Sequence, residues 1–366
     1  MFDIVRRAAS LEISETTNPA ERDRSVDFIK GILILLVVFG HSVQFIAHAR
    51  TESFWDDGLF EAIYLFHMPA FIAVSGYLAA RKIDATTSLH ELVSRRMLPL
   101  LLAMIIWSTI SAGPSLRRAF VGAQAHVATE IWDNFLTLYW FLWALVVSAG
   151  CAFLASRFEA GGRRATLAIA ALLLLAPIET YPISIIRYTA PFYLAAYACG
   201  RSGLTIRSIR PEVAAGAAVF AAVGSLFWTR DTYIYNNALA YWRPEAAADV
   251  TLMLCVAAAA TLAFLRAAVA AHDRFGDLAA SHALAVIGGM TLEIYLAQTV
   301  VFRFLPLPPD FQSGYLVAAA ATIAIVAGIM ALVAVTRRLP GAQLLWGSYA
   351  PVAGRRSALP FFARSD

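Results

Sequence analysis

The chain has 366 residues, of which 60% are hydrophobic and only 15% charged, and its mean hydropathy is +0.66. Ordinary soluble domains carry roughly 25% charged residues, so this composition excludes a soluble globular protein and leaves only short tails outside lipid. The net charge of +4 comes largely from arginines set between apolar runs, which is a topology signal rather than a nucleic-acid footprint, and no nucleic-acid partner is expected.

The first 24 residues have no apolar core of signal-peptide type and read as a cytoplasmic tail, which makes the first long apolar run a retained helix. Apolar runs follow at about 28 to 47, 59 to 80, 98 to 113, 135 to 155, 164 to 178, 183 to 200, 212 to 228, 247 to 271, 283 to 302 and 315 to 336. At about 20 residues per crossing these predict an all-α integral membrane protein of about ten transmembrane helices. Residues 25–336 then form one membrane domain, and residues 337–366 form a second cytoplasmic tail. Charge supports the even count. With both termini inside, 21 of the 29 Lys and Arg fall on the cytoplasmic side and 6 outside, with Lys30 and Arg187 within helices. Cys151, Cys199 and Cys255 lie in or at the ends of apolar runs, without metal-ligand spacing or the loop positions of a disulfide framework. No metal is expected.

The first run places Asp27, Lys30 and His41 in or beside an otherwise apolar stretch. Lys30 and His41 are eleven residues apart, roughly 16 Å along a helix axis and on nearly one face, with Asp27 close to the same stripe. Such a stripe facing lipid would cost several kcal/mol, so it faces the bundle interior or a watery cavity. Lys30 either snorkels to the headgroups or serves a site there, while His41 is the stronger functional candidate. The second run carries His67 next to Pro69, which is placed to kink the helix and free a carbonyl, and a Ser75-Gly76 pair further along. His67 is either a hydrogen-bonded packing residue or a second site histidine. Arg95 and Arg96 precede the third run; they are either plain positive-inside anchors or phosphate holders. Among the remaining intramembrane polar residues, Arg187, Glu293 and Gln298, an ion pair between Glu293 and Arg187 is expected above catalysis.

The segments VDFIKGILILLVVFGHS, FHMPAFIAVSGYL and SRRMLPLL, with softer echoes in YWFLWALVVS, YTAPFYLAAYACG and IGGMTLEIYLAQ, resemble the acyltransferase 3 family of multispanning membrane acyltransferases. The echoes span about residues 26 to 300. The resemblance implies O-acylation of a sugar, with acetyl-CoA or another acyl-CoA as co-substrate and a carbohydrate or glycolipid as acceptor, in the inner membrane of a bacterium. It implies His41 and His67 as catalytic residues, Lys30, Arg95 and Arg96 as donor-binding residues, and Asp27, Ser75, Glu293 and Gln298 in support. Three departures stand out. Lys30 occupies a position usually held by arginine, Val93 the first place of an arginine pair completed by Arg96, and Gln298 a place where many members have histidine. Lysine keeps the charge of an arginine without its bidentate geometry. A transporter or flippase of a lipid-linked sugar or small anion is the main rival, followed by a transferase using another donor such as succinyl-CoA and by a structural export subunit. The sequence leaves open whether the chain forms a homo-oligomer.

Overall fold

The computed structural model describes residues 23–48, 51–122, 126–158, 162–305, 311 and 313–347. Most of both expected tails lies outside the described residues. Those described are almost entirely helical, without a strand. Five helices are long and apolar enough to cross a membrane, and up to seven if each of two bent pairs counts as one span. The chain is a multi-pass membrane protein.

The principal helices are α1 (Arg24–Ser42), α2 (Gly58–Tyr64), α3 (His67–Ala79), α4 (Leu98–Ser111), α5 (Trp140–Ala155), α6 (Arg163–Leu175), α7 (Ile183–Arg201), α8 (Pro211–Ser225), α9 (Pro244–Phe275), α10 (Ala279–Gly289), α11 (Thr291–Phe304), α12 (Tyr315–Thr336) and α13 (Ala342–Trp346). Each apolar run of the sequence contains helix, but hydropathy conceals the breaks inside three of them. Run 59–80 divides at Leu65–Phe66 into α2 and α3. A 62° bend at Tyr139 separates Val127–Leu138 from α5, and a 76° bend at Met290 separates α10 from α11. A π-helical turn closes α1 (Val43–Ala47), another opens α4 (Val93–Met97), and a third precedes the Tyr139 bend (Asn134–Leu138). Such turns shift the register of a helix and re-aim the side chains after them.

The centre of the bundle is set by two backbone-to-backbone contacts. α10 lies so close to α1 that a Cβ on Gly288 would sit 1.8 Å from the Asp27 carbonyl oxygen. α7 lies on α3 at Gly76, where a Cβ would come within 2.1 Å of the Tyr193 carbonyl oxygen. Lipid offers no hydrophobic drive to bring helices together, so close approach through small residues is the main source of packing energy. α1 and α3 run antiparallel, since Ser25 and Val26 at the start of α1 line a small cavity with Tyr77 and Arg81 at the end of α3.

The ion pair expected between Arg187 and Glu293 does not form. The Arg187 guanidinium donates to the carbonyls of Leu173, Leu174 and Ile178 and so caps the end of α6. Those orphan carbonyls at a helix terminus are what a buried cation can satisfy. Glu293 pairs instead with Arg337. Beyond Arg337 the chain remains packed on the bundle through α13, where Trp107 Nε1 donates to Leu345 O at 2.7 Å and Trp346 is fully buried.

At the His41 end a polar knot ties α2 to α12. Asp57 accepts from the N–H groups of Leu59 and Phe60, from Tyr315 Oη at 2.5 Å and from His48 Nε2 at 2.7 Å. Burial pushes the Asp57 carboxyl up, but the bonds from Tyr315, Phe60 and His48 outweigh it and hold the group below its ordinary range. A depressed carboxylate stabilises the fold fully above its unfolded value, about 3.9, and loses that contribution as pH falls through the lower native value. Melting in detergent between pH 7 and pH 3 is therefore expected to fall more steeply for the wild type than for Asp57→Asn. Parallel curves would remove Asp57 from the account of acid stability.

Candidate active site

His41 is in the last turn of α1 and His67 is the first residue of α3, so antiparallel packing brings both to one end of the bundle. They line a single cavity of about 410 Å³, within the usual size range of small-ligand pockets. Each ring has one nitrogen committed. His41 Nδ1 lies 2.9 Å from Gln298 Oε1, so an Nδ1–H donates to the amide oxygen. His67 Nδ1–H donates to Ile63 O at 2.8 Å. That carbonyl is the one freed by the break before α3, where its backbone bond from Phe66 N stretches to 3.4 Å. Both rings are thereby held in the tautomer with a bare Nε2, the form that can accept a proton.

The 76° bend at Met290 places Gln298 here. α11 turns inward after the bend, and Gln298 is fully buried beside His41, with its Nε2 lacking a hydrogen-bond partner among the described residues. Seven aromatic side chains make up much of the remaining wall, Phe45, Tyr64, Trp140, Tyr181, Tyr235, Tyr295 and Phe302, together with smaller apolar and threonine side chains and Arg303. Arg303 is taken up by Glu130 at 2.6 Å and Asn134 at 3.2 Å. Sequence reading passed over these aromatics. Tyr181 sits in a turn and Tyr235 in the short helix Ile234–Asn237, both outside the apolar runs, and the signal that could have found them is the density of Tyr and Trp near the ends of those runs.

At the opposite end a cavity of about 230 Å³ is lined by Ser75, Lys82, Arg96, Leu145, Ala149 and Tyr193, among others. Ser75 Oγ donates to Phe71 O. Arg96 uses Nη2 on the Lys82 carbonyl at 2.9 Å, while its Nε is buried without a hydrogen-bond partner among the described residues. A buried, unsatisfied guanidinium N–H costs free energy that an anionic ligand would return. Arg95 does not line this cavity; it is exposed, with Glu91 at 3.8 Å. Lys30 and Asp27 pair with each other at 3.3 Å and line neither cavity. Glu293 is buried against Arg337, away from both histidines' hydrogen bonds. Among the described residues no group of three His, Cys, Asp or Glu could hold a metal ion.

The arrangement is a polar end able to hold an anion, a deep cavity with two proton-accepting imidazoles, and a helical bundle between them. Residues 23–335 match the family profile described as an acyltransferase domain, Acyl_transf_3. The chain is similar to nodulation protein NolL of Sinorhizobium fredii, 35% identical over 295 residues that cover 77% of this chain and 78% of the relative. It is also similar to nodulation protein NolL of Mesorhizobium japonicum, 31% identical over 317 residues, 84% of each chain. No solved structure matches. With the match running from the first residues of α1 almost to the end of α12, the chain belongs to the acyltransferase 3 family.

Proposed function

We propose that this chain is a membrane-bound O-acyltransferase that moves an acyl group, acetyl in the simplest case, from acyl-CoA to a hydroxyl of a saccharide held between His41 and His67. The observation that carries the reading is the shared cavity: two imidazoles from different helices line it, each with Nδ1 committed to an acceptor and Nε2 bare. The reading includes ten spans with both termini cytoplasmic, a membrane domain over residues 25–336 between two tails, and residence in a bacterial inner membrane. The Arg96 cavity then faces the cytoplasm, where acyl-CoA is found, and the histidine cavity lies in the outer half.

An alcohol is a poor nucleophile at neutral pH and needs a base. His41 Nε2 takes the hydroxyl proton as the sugar oxygen bonds to the thioester carbonyl carbon. The carbon–sulfur bond breaks, and His41 returns the proton to the departing sulfur as CoA thiol. Gln298 Oε1 holds the Nδ1–H throughout and favours the imidazolium that forms. His67, locked by Ile63 O, offers Nε2 to a second hydroxyl and orients the sugar, while the aromatic wall supplies apolar faces for the ring. Arg96 binds donor phosphate through its unsatisfied Nε, and Arg95 adds positive charge at the rim. Lys30, held by Asp27, adds a positive charge on α1. Both relatives are named nodulation proteins, and that process is where the saccharide acceptor is to be sought.

Binding of acetyl-CoA to the purified, detergent-solubilised protein tests the donor site. Arg96→Ala is expected to weaken binding roughly 10- to 100-fold, the equivalent of losing a charge-assisted hydrogen bond of about 1.5–3 kcal/mol. His41→Ala should bind as the wild type does. Folded wild-type protein that binds no acyl-CoA would sink the reading in favour of a transporter of an intact sugar or anion.

A further inference from the structure

The two cavities share walls on α3 and α5, and on each of these helices one aromatic residue falls between the positions that line them. On α3, Met68 lines the histidine cavity and Ser75 the Arg96 cavity, with Phe71 between them on the same face. On α5, Trp140 lines the first cavity and Leu145 and Ala149 the second, with Phe141 between. Phe71 and Phe141 meet edge to face with centroids 5.2 Å apart, and Phe141 meets Tyr295 of α11 at 5.2 Å. All three side chains are buried, at 6%, 4% and 7% exposure. Met68 and Ser75 are seven residues apart, so the rings interrupt a path of only about 10 Å along the helix.

We propose that Phe71, Phe141 and Tyr295 form a constriction through which the acyl end of the donor is threaded from the Arg96 cavity to His41, and that these rings set the limit on acyl chain length. The inference rests on the donor reading above. It adds the residues that decide which acyl groups arrive. Rings in mutual contact must turn aside to admit any chain, and each added methylene demands a wider opening. Rotation of an aromatic side chain within a packed interior is opposed by its neighbours, since protein cores contain few voids to receive it. A short acyl group therefore passes with the least displacement. Chains of four or six carbons meet the rings along their length. Phe71→Ala or Phe141→Ala removes a phenyl group from the path while leaving Arg96, His41 and Gln298 in place.

The test compares transfer of acetyl, butyryl and hexanoyl groups from their CoA thioesters by the wild type, Phe71→Ala, Phe141→Ala and the milder Phe71→Leu, together with acetyl-CoA binding. Methylene discrimination in an apolar pocket is worth roughly 10-fold or more, so the hexanoyl-to-acetyl ratio of kcat/KM should rise at least about 10-fold in the alanine variants. Phe71→Leu should move in the same direction by less. Acetyl-CoA binding should stay within about 3-fold of the wild type, because no charged contact is touched. An unchanged chain-length profile in any variant that still binds acetyl-CoA would overturn the constriction and leave the donor reading intact. A wild type that transfers no acyl group from any of these thioesters would overturn the donor reading and the constriction together.

Discussion

Replacing His41 by alanine is expected to lower kcat by about 10²- to 10⁴-fold, the usual range for a general base, while leaving acetyl-CoA affinity unchanged. The separation follows from geometry. His41 lines the histidine cavity and takes no part in the Arg96 cavity, so its loss removes a proton acceptor without touching a donor contact. Its packing partners are two aromatic rings, Phe45 at 6.0 Å and Phe302 at 5.7 Å between centroids, which remain after truncation. The space left is shaped for an imidazole. Added imidazole should therefore restore part of the lost rate in His41→Ala and none in a variant of Arg96. Single-turnover kinetics with saturating acetyl-CoA would measure both effects. Full activity in His41→Ala would transfer the role of base to His67.

The second large effect is on folding. Gly288→Ala drives a methyl group to 1.8 Å from the Asp27 carbonyl oxygen, and Gly76→Ala drives one to 2.1 Å from the Tyr193 carbonyl oxygen. Overpacking against flexible side chains typically costs about 1–3 kcal/mol, and a clash with backbone has no rotamer to relieve it, so at least about 3 kcal/mol is expected at each site. Gly328→Ala is the control, because a Cβ there meets nothing within 4 Å. Fluorescence-detected gel filtration after graded heating should show Gly288→Ala and Gly76→Ala aggregating first and Gly328→Ala melting with the wild type. If all three melted together, the α1–α10 and α3–α7 seams would not be what holds the bundle.

Much of this could be read before the fold was known, and the remainder failed for identifiable reasons. Apolar runs located every principal helix but α13, because lipid demands long hydropathic stretches, whereas the five-residue helix Ala342–Trp346 lies beyond the last run in what reads as a tail. It hid the bends at Tyr139 and Met290, because a bend inside a bundle leaves hydropathy continuous. Those bends matter most to the site, since the second delivers Gln298 to His41. The rarity of intramembrane histidine singled out His41 and His67, and antiparallel neighbours put them together. Arg187 was misread because an ion pair was sought where backbone carbonyls at the end of α6 supply the acceptors. Arg95 and Arg96 are adjacent in sequence but diverge in space: the π-helical turn over Val93–Met97 carries both, and only Arg96 lines the cavity. The aromatic wall was missed because its members come from many separate elements, so that only the general density of Tyr and Trp near the ends of the apolar runs hinted at it.

The central claim is that acyl groups move from CoA to a saccharide at the histidine cavity. Protein reconstituted in vesicles, given acetyl-CoA labelled in the acetyl group on the Arg96 side and a saccharide acceptor, tests it directly. The account predicts label on the saccharide as an alkali-labile ester, formed by the wild type and lost in His41→Ala. Unlabelled saccharide crossing the vesicle membrane intact, with the label remaining on CoA, would contradict it.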